Sequence, residues 1–420
     1  MSAPTIRVEI GFGANASLGS FFVLDNIKAD GTVGSSVLGS TTKTLGGTVF
    51  VDVTDHLSGQ VTTTRGRSRE TDQYQAGVMS FQLRNEDFKF DPRSGGSTKL
   101  SLRLIVNAYV AMETTEFQFF NGYVDDINVT YDMPDISVIN VTCIDAFSVL
   151  SNAMLRNYTP TAAWTTGRAV GDVLDRVGYT SKRSIAAGIS TIQSTTQTSI
   201  SALDFCRLMA RTENGYFFVD RTGVVTFANR YKGQGQYPSV LFTDDQTPTF
   251  TFYVGYTQLT QNSQATLLYN EVTGTRTGGT QQVATDSTSQ ATYFIRSLDI
   301  GQVENQTDAQ VAEVCKYVIG KYANPETRLD NVAAELNGLS VDEFSRLMSL
   351  DILDHVEIQR FASSGSAGID ILSMVDGIAC SFDASSLSFK VVFNFSSLDT
   401  QHYITLDYPF TTLDSDRLNY

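Results

Sequence analysis

The stretch Thr64–Ser94, TRGRSRETDQYQAGVMSFQLRNEDFKFDPRS, joins a basic bend, a strand and a turn-rich corner. Met79, Phe81 and Leu83 alternate with Ser80, Gln82 and Arg84. A period of two sends one face into a core and the other into solvent, so a half-buried β-strand is expected. Asn85, Asp87, Asp91 and Pro92 should end it in a tight corner, because short polar side chains bond nearby backbone and the proline ring fixes φ. Ser94, Gly95, Gly96 and Ser97 follow as a flexible exit. Arg65, Arg67 and Arg69 precede the strand, with Glu70 and Asp72 directly behind them. Such a row reads as a surface that pairs with acids of a neighbouring strand or subunit, in preference to a phosphate site. Asn85-x-Asp87-x-Lys89-x-Asp91 is not a calcium loop: Lys89 stands where an oxygen ligand is needed and no glycine follows at the sharp turn.

Strand patterns surround this stretch from Ile6 to about Leu155. Ile6, Val8, Ile10 and Phe12 alternate with Arg7, Glu9 and Gly11, which reads as a first strand and not as a signal sequence. Val49–Thr54, Ile127–Asp132 and Ile139–Cys143 repeat the alternation. Turn signals at Asp30-Gly31, Gly46-Gly47, Asn121-Gly122 and Pro134-Asp135 punctuate the runs, which suits an antiparallel barrel or sandwich. From about Arg156 the period changes. Val170, Val173, Leu174 and Val177 form a helical stripe, and Leu203, Cys206, Met209 and Ala210 form another behind the candidate caps Ser199 and Ser201. Tyr216–Val219 and Val224–Ala228 flank Asp220-Arg221-Thr222-Gly223 as a hairpin.

After Tyr237 strands return, the clearest at Leu267–Val272, Ala291–Leu298, His355–Gln359 and Lys390–Phe395. Two helices interrupt them near 307–323 and 341–349, announced by the capping pairs Thr307/Gln310 and Ser340/Glu343. Gly274–Gln290, rich in Gly, Thr, Gln and Ser, is read as an exposed hairpin tip or loop. A chain of 420 residues exceeds one ordinary core. The fold class is therefore mainly β, α+β overall: an antiparallel β-barrel domain at 1–155, a small α/β domain at 156–236, and a second barrel with helical insertions and a C-terminal tail at 237–420.

Composition narrows the function. The net charge of −15 repels phosphate backbones, so specific nucleic-acid binding is not expected. Cys143, Cys206, Cys315 and Cys380 are widely spaced and read as buried thiols. No apolar run is long enough to span a bilayer, so no membrane segment is expected. His56, His355 and His402 are scattered; only His355 has nearby carboxylates, Asp351, Asp354 and Glu357, and no nucleophile elbow accompanies it. The doublets Asp125-Asp126 and Asp244-Asp245 do not make catalytic pairs, because adjacent strand residues face opposite ways. Gly11-Phe12-Gly13 lacks the glycine pattern of a nucleotide loop. The aromatic clusters Phe117, Phe119, Phe120, Tyr123 and Phe250, Phe252, Tyr253, Tyr256 read as core packing. Trp164 is expected to anchor the α/β domain to the first barrel. No cofactor, metal or enzymatic activity is expected.

Arg65-Gly66-Arg67, Ala76-Gly77, Asn85-Glu86-Asp87 and Phe90-Asp91-Pro92, in this order near the N-terminus, resemble the baseplate hub or minor tail proteins of long-tailed bacteriophages. Ala202–Arg230, with Asp220, Thr222 and Gly223 in its hairpin, resembles the small α/β domain of that family. The resemblance implies a structural virion protein at the tail tip, made in the host cytoplasm: a homotrimeric hub ring that caps the tail tube. It implies docking on the distal tail protein ring, contact with the tape-measure protein and other tail-tip proteins, and opening for DNA delivery, with viral DNA passing unbound. Under it, Arg65, Gly66, Arg67, Asn85, Asp87, Phe90, Asp91 and Pro92 are architecture of the first barrel. A distal tail ring or receptor-binding tail protein is the alternative, and a tail-associated cell-wall hydrolase the enzymatic rival.

Overall fold

The computed structural model describes residues 3–12, 48–94, 96–132, 136–180, 182–232, 237–245, 252–262, 267–325, 328–361 and 368–398. With 47% strand and 20% helix the chain is mainly β, as expected. The strand Gln75–Arg84 forms with Met79, Phe81 and Leu83 buried. It pairs antiparallel with Leu57–Gly66 on one side and Ile136–Ile144 on the other. Thr115–Asp132, Ile105–Met112, Thr5–Phe12 and Val49–Asp52 continue the sheet outward in that order. Asn121-Gly122 is not a turn; it lies inside the 18-residue strand Thr115–Asp132. A Cβ at Gly122 would stand 2.7 Å from the Ile144 carbonyl, so tight packing between strands explains that glycine. Asp30-Gly31, Gly46-Gly47 and Pro134-Asp135 lie wholly or partly outside the described residues.

The second strand group is Val240–Phe242, Tyr253–Val254, Gln258–Asn262, Arg328–Glu335, His355–Arg360, Ile369–Asp383 and Ser388–Ser397. Its long strand Ile369–Asp383 pairs directly with Leu57–Gly66, opposing Arg65 to Ile378 and Gly66 to Gly377. Both groups therefore belong to one sheet of fourteen strands, and no pairing among the described residues closes a barrel. They also share a core: Val8, Phe81, Phe90 and Phe120 of the first group lie in one apolar cluster with Phe242, Phe389 and Phe393 of the second. Phe119 meets Phe389 edge to face at 5.6 Å. Alternation tells which face of a strand is buried but not which strand its edge meets, so this seam is invisible in sequence. Nor is the second group wholly antiparallel, since Val240–Phe242 runs parallel to both His355–Arg360 and Tyr253–Val254.

Between the groups stands an α/β unit. Helices Thr166–Arg176 and Ala202–Glu213 begin at Thr165 and Ser201, whose side chains accept from Arg168 N and Asp204 N. They cover the sheet of Tyr216–Val219 and Val225–Ala228, with Arg183–Ile185 added in parallel. Trp164 packs on this unit's own core, with the Arg168 guanidinium 4.7 Å over its ring. A short helix at Phe147–Asn152, too brief to show a period, starts where Asp145 Oδ1 accepts from Phe147 N.

The helix Asp308–Tyr322 does not simply interrupt strands. It covers a separate three-stranded sheet of Glu271–Arg276, Gln282–Thr285 and Ser297–Val303, with a core of Val272, Val303, Val311, Val314 and Val318. The expected strands Leu267–Val272 and Ala291–Leu298 are displaced accordingly. Gly274–Gln290 does supply a hairpin tip, but its end enters a helix, Ser287–Tyr293, capped by Asp286 through Ser289 N. This satellite seats on the α/β unit, where Glu304 N donates to Thr212 Oγ1 and Asn305 Nδ2 to Thr212 O. Helix Val341–Ser349 carries the full Ser340/Glu343 capping box.

Candidate functional site, a buried ionic seam

The bend before Gln75–Arg84 is the point where all these parts meet. Arg65, 7% exposed, donates from Nη1 to Asp351 Oδ1 at 2.8 Å. Asp351 Oδ2 accepts from Arg221 N at 3.0 Å, so a single carboxylate ties the first sheet group to the α/β hairpin. Arg67 lies beside Asp376, with Nε 3.0 Å from Oδ2 and Nη2 3.1 Å from Oδ1. Tyr74 donates its hydroxyl to Asp376 Oδ1 at 2.8 Å and presents its ring to the Arg67 guanidinium at 4.7 Å. Burial opposes the charge on Arg67, but Asp376 outweighs it and holds the guanidinium well above its usual range. Burial raises the Tyr74 hydroxyl well above the ordinary phenol value, so it stays a donor.

Glu70 completes the seam. Its Oε1 is 2.5 Å from Lys321 Nζ and its Oε2 2.8 Å from Arg328 Nη1. Burial alone would protonate Glu70, yet the two cations overcome it and lower its pKa. Gly66 fits because its φ is +88° and a Cβ there would sit 2.2 Å from the Asp376 carbonyl. Gly77 leaves space for Asp145, whose Oδ2 accepts from Gly77 N at 2.6 Å. Burial pushes Asp145 up to about 7 despite its backbone donors.

The acids that neutralise Arg65 and Arg67 thus belong to the chain itself, not to another subunit. The corner residues are elsewhere. Asn85, Asp87, Phe90, Asp91 and Pro92 stand at the far end of a ten-residue strand, roughly 30 Å from the bend. Asn85 Oδ1 accepts from Phe90 N at 2.9 Å, Asp87 has φ +52°, and Phe90 is wholly buried. Asp91 Oδ1 accepts from Arg93 N at 2.8 Å, beside the exposed Pro92, and Asp91 Oδ2 accepts from the Tyr131 hydroxyl. The Asp220 hairpin does reach the seam. Asp220 Oδ1 accepts from Thr222 N, Thr222 Oγ1 and Val224 N at 2.8, 2.8 and 2.9 Å. Gly223, at φ +85°, lies so close to Asn121 that a Cβ would come within 2.0 Å of its Oδ1.

Asp376, Asp145 and Tyr74 carry no motif in the sequence, and Asp351 stands out there only as a neighbour of His355, not as the partner of Arg65. One signal was present: Asp376 and Asp145 each interrupt an apolar run, and a charge buried that way needs a partner. Among the described residues no group of three His, Cys, Asp or Glu side chains is placed to hold a metal. His56 packs on Phe90 and His355 is buried at a strand start, while His402 lies outside the described residues. The Asp351 carboxylate near His355 is committed to Arg65 and Arg221. Asp125 and Asp126 are both exposed beside a bulge, and Asp244 pairs with Arg360 at 3.0 Å. The cysteines Cys143, Cys206, Cys315 and Cys380 are buried and free. Burial raises Cys143 and Cys206 beyond any thiolate range and Cys315 and Cys380 to about 11. These groups hold a structure together, and their geometry offers no exposed nucleophile with a base.

No family model matches the chain, and no curated protein is detectably similar in sequence. Solved structures are similar in fold. The prophage MuSo2 43 kDa tail protein from Shewanella oneidensis matches over 94% of this chain and 98% of its own, at a TM-score of 0.52 and 13% identity. The tail protein from Neisseria meningitidis MC58 matches over 81% of this chain and 92% of its own, at 0.52 and 9% identity. Over most of its length the chain has the fold of these two tail proteins.

Proposed function

We propose that the chain is a structural protein of a long-tailed phage, the hub ring at the tail tip. The observation that carries this reading is the near-complete mutual coverage with the Shewanella tail protein, 94% of this chain and 98% of that one. In this reading three copies form a ring, and residues 1–155, 156–236 and 237–420 act as its two barrel-like units and the α/β unit between them. The two strand groups of each copy then supply six similar units to a ring, which suits docking on a sixfold distal tail ring. The ring caps the tail tube, contacts the tape-measure protein and opens for DNA delivery. Arg65, Gly66, Arg67, Asn85, Asp87, Phe90, Asp91, Pro92, Asp220, Thr222 and Gly223 serve as architecture. A net charge of −15 lets DNA pass without sticking.

The buried seam supports this role mechanically. Asp351, Asp376 and Glu70 each fasten segments far apart in the chain, so a copy moves as a unit when the ring opens. The test is co-expression with the distal tail and tape-measure proteins: the reading expects a stable complex with this chain in three copies. Recovery of this chain alone, as a monomer, beside an assembled distal ring would overturn it. Clear lysis of host cell walls by the purified chain would instead favour the hydrolase.

A further inference from the structure

Next to the seam lies a cavity of about 290 Å³, bounded by the bend at 67–74, helix Ala202–Glu213 and the satellite. Four tyrosines line it, Tyr74, Tyr216, Tyr317 and Tyr322, and two guanidiniums enter from one helix face, Arg207 and Arg211. Arg207 donates from Nη2 to Tyr74 O at 3.0 Å and lies 5.6 Å over the Phe147 ring. Its Nε is sealed from solvent and meets no acceptor. A ligand in the cavity can therefore meet this guanidinium only through its Nη atoms, and Asp204 and Asp145 act on its charge from a distance. Arg211 is exposed at the cavity and makes no ion pair among the described residues. The other two cations are matched, Arg67 by Asp376 and Lys321 by Glu70. Asp72 and Asp299 line the mouth, both exposed to water, and neither pairs with these arginines.

We propose that this cavity binds a carboxylate carried on an aromatic group. The guanidiniums of Arg207 and Arg211 receive the carboxylate, since a planar donor fork matches its two oxygens. The tyrosine rings take the flat apolar part. Asp72 and Asp299 at the mouth repel a second negative charge and so select a monoanion over a phosphate dianion. The chemistry fits either a free aromatic acid or the aromatic C-terminal residue of another protein.

Calorimetric titration of the full-length chain separates these sources. Benzoate represents the free acid, N-acetylphenylalanine the chain terminus, and N-acetylphenylalanine amide the neutral control. At least one carboxylate binds saturably, and the amide binds about tenfold more weakly or worse. Tighter binding of N-acetylphenylalanine assigns a chain terminus, and tighter binding of benzoate a free acid. Arg211→Gln, at an exposed position, weakens the carboxylate by about tenfold without shifting thermal unfolding. Arg207→Gln does the same or worse, and its unfolding curve identifies any loss of fold. Equal affinity for amide and acid, absence of saturable binding by both acids, or full affinity in Arg211→Gln would overturn the assignment.

Discussion

Replacing Asp376 with asparagine tests whether the seam depends on charge neutralisation. The substitution keeps the shape of the side chain and leaves an acceptor for Tyr74, but removes the charge facing Arg67 at 3.0 and 3.1 Å. Asp376 is 1% exposed, so water cannot take over from it. Removing one partner of a buried ion pair costs about 3–5 kcal/mol, because the other charge stays buried and uncompensated. A domain has only about 5–15 kcal/mol in hand, so Asp376→Asn should lose about a fifth of its stability or more. Urea unfolding reads this as a lower midpoint at unchanged slope. Adding Arg67→Met removes the stranded charge, and the double variant should recover more than half of the loss, since apolar replacement of a buried pair is often nearly neutral. A loss below about 1 kcal/mol in the single variant, or a double variant no better than the single, would show that the fold does not depend on Asp376 neutralising Arg67.

Three further outcomes are expected. Gly223→Ala should cost about 1–3 kcal/mol, since it forces an L residue into φ +85° and places a methyl on Asn121; thermal unfolding measures the loss, and hydrogen exchange should rise first in 216–228. Asp145 titrates near about 7 in the folded chain against 3.8 when free, so its effect is absent below pH 4 and destabilises increasingly as pH rises to about 7. That amounts to roughly 4 kcal/mol, and Asp145→Asn should flatten this slope in a pH series of unfolding midpoints. Ser340→Ala breaks the capping box and should cost about 1 kcal/mol, read as a small fall in melting temperature.

The parts legible in sequence are those set by neighbours along the chain. The strand Gln75–Arg84, the capped helices after Thr165, Ser201, Thr307 and Ser340, and the hairpin around Asp220 each follow from a period or a local bond. The seam does not. Arg65 and Asp351 are 286 residues apart, Arg67 and Asp376 are 309, and Glu70 and Arg328 are 258, and nothing local encodes such pairings. Arg65 and Arg67 do meet acids, but inside the fold and not on a surface row, and their location required the pairing of Leu57–Gly66 with Ile369–Asp383. Asn121-Gly122 shows the opposite failure, a strong local turn signal overruled by packing against Gly223 and Ile144. The helix Ser287–Tyr293 is polar all round, so it carries no stripe and is held by Asp286 and by Ser289 bonding to Ala323 O.

A tail-tip hub is defined by its place and its copy number in the tail. Electron microscopy of assembled tail tips containing this chain tests both most directly. Three copies in one ring at the distal end are expected, with the Arg67–Asp376 seam inside each copy. Six copies in a ring, or density for this chain only at the periphery, would contradict this.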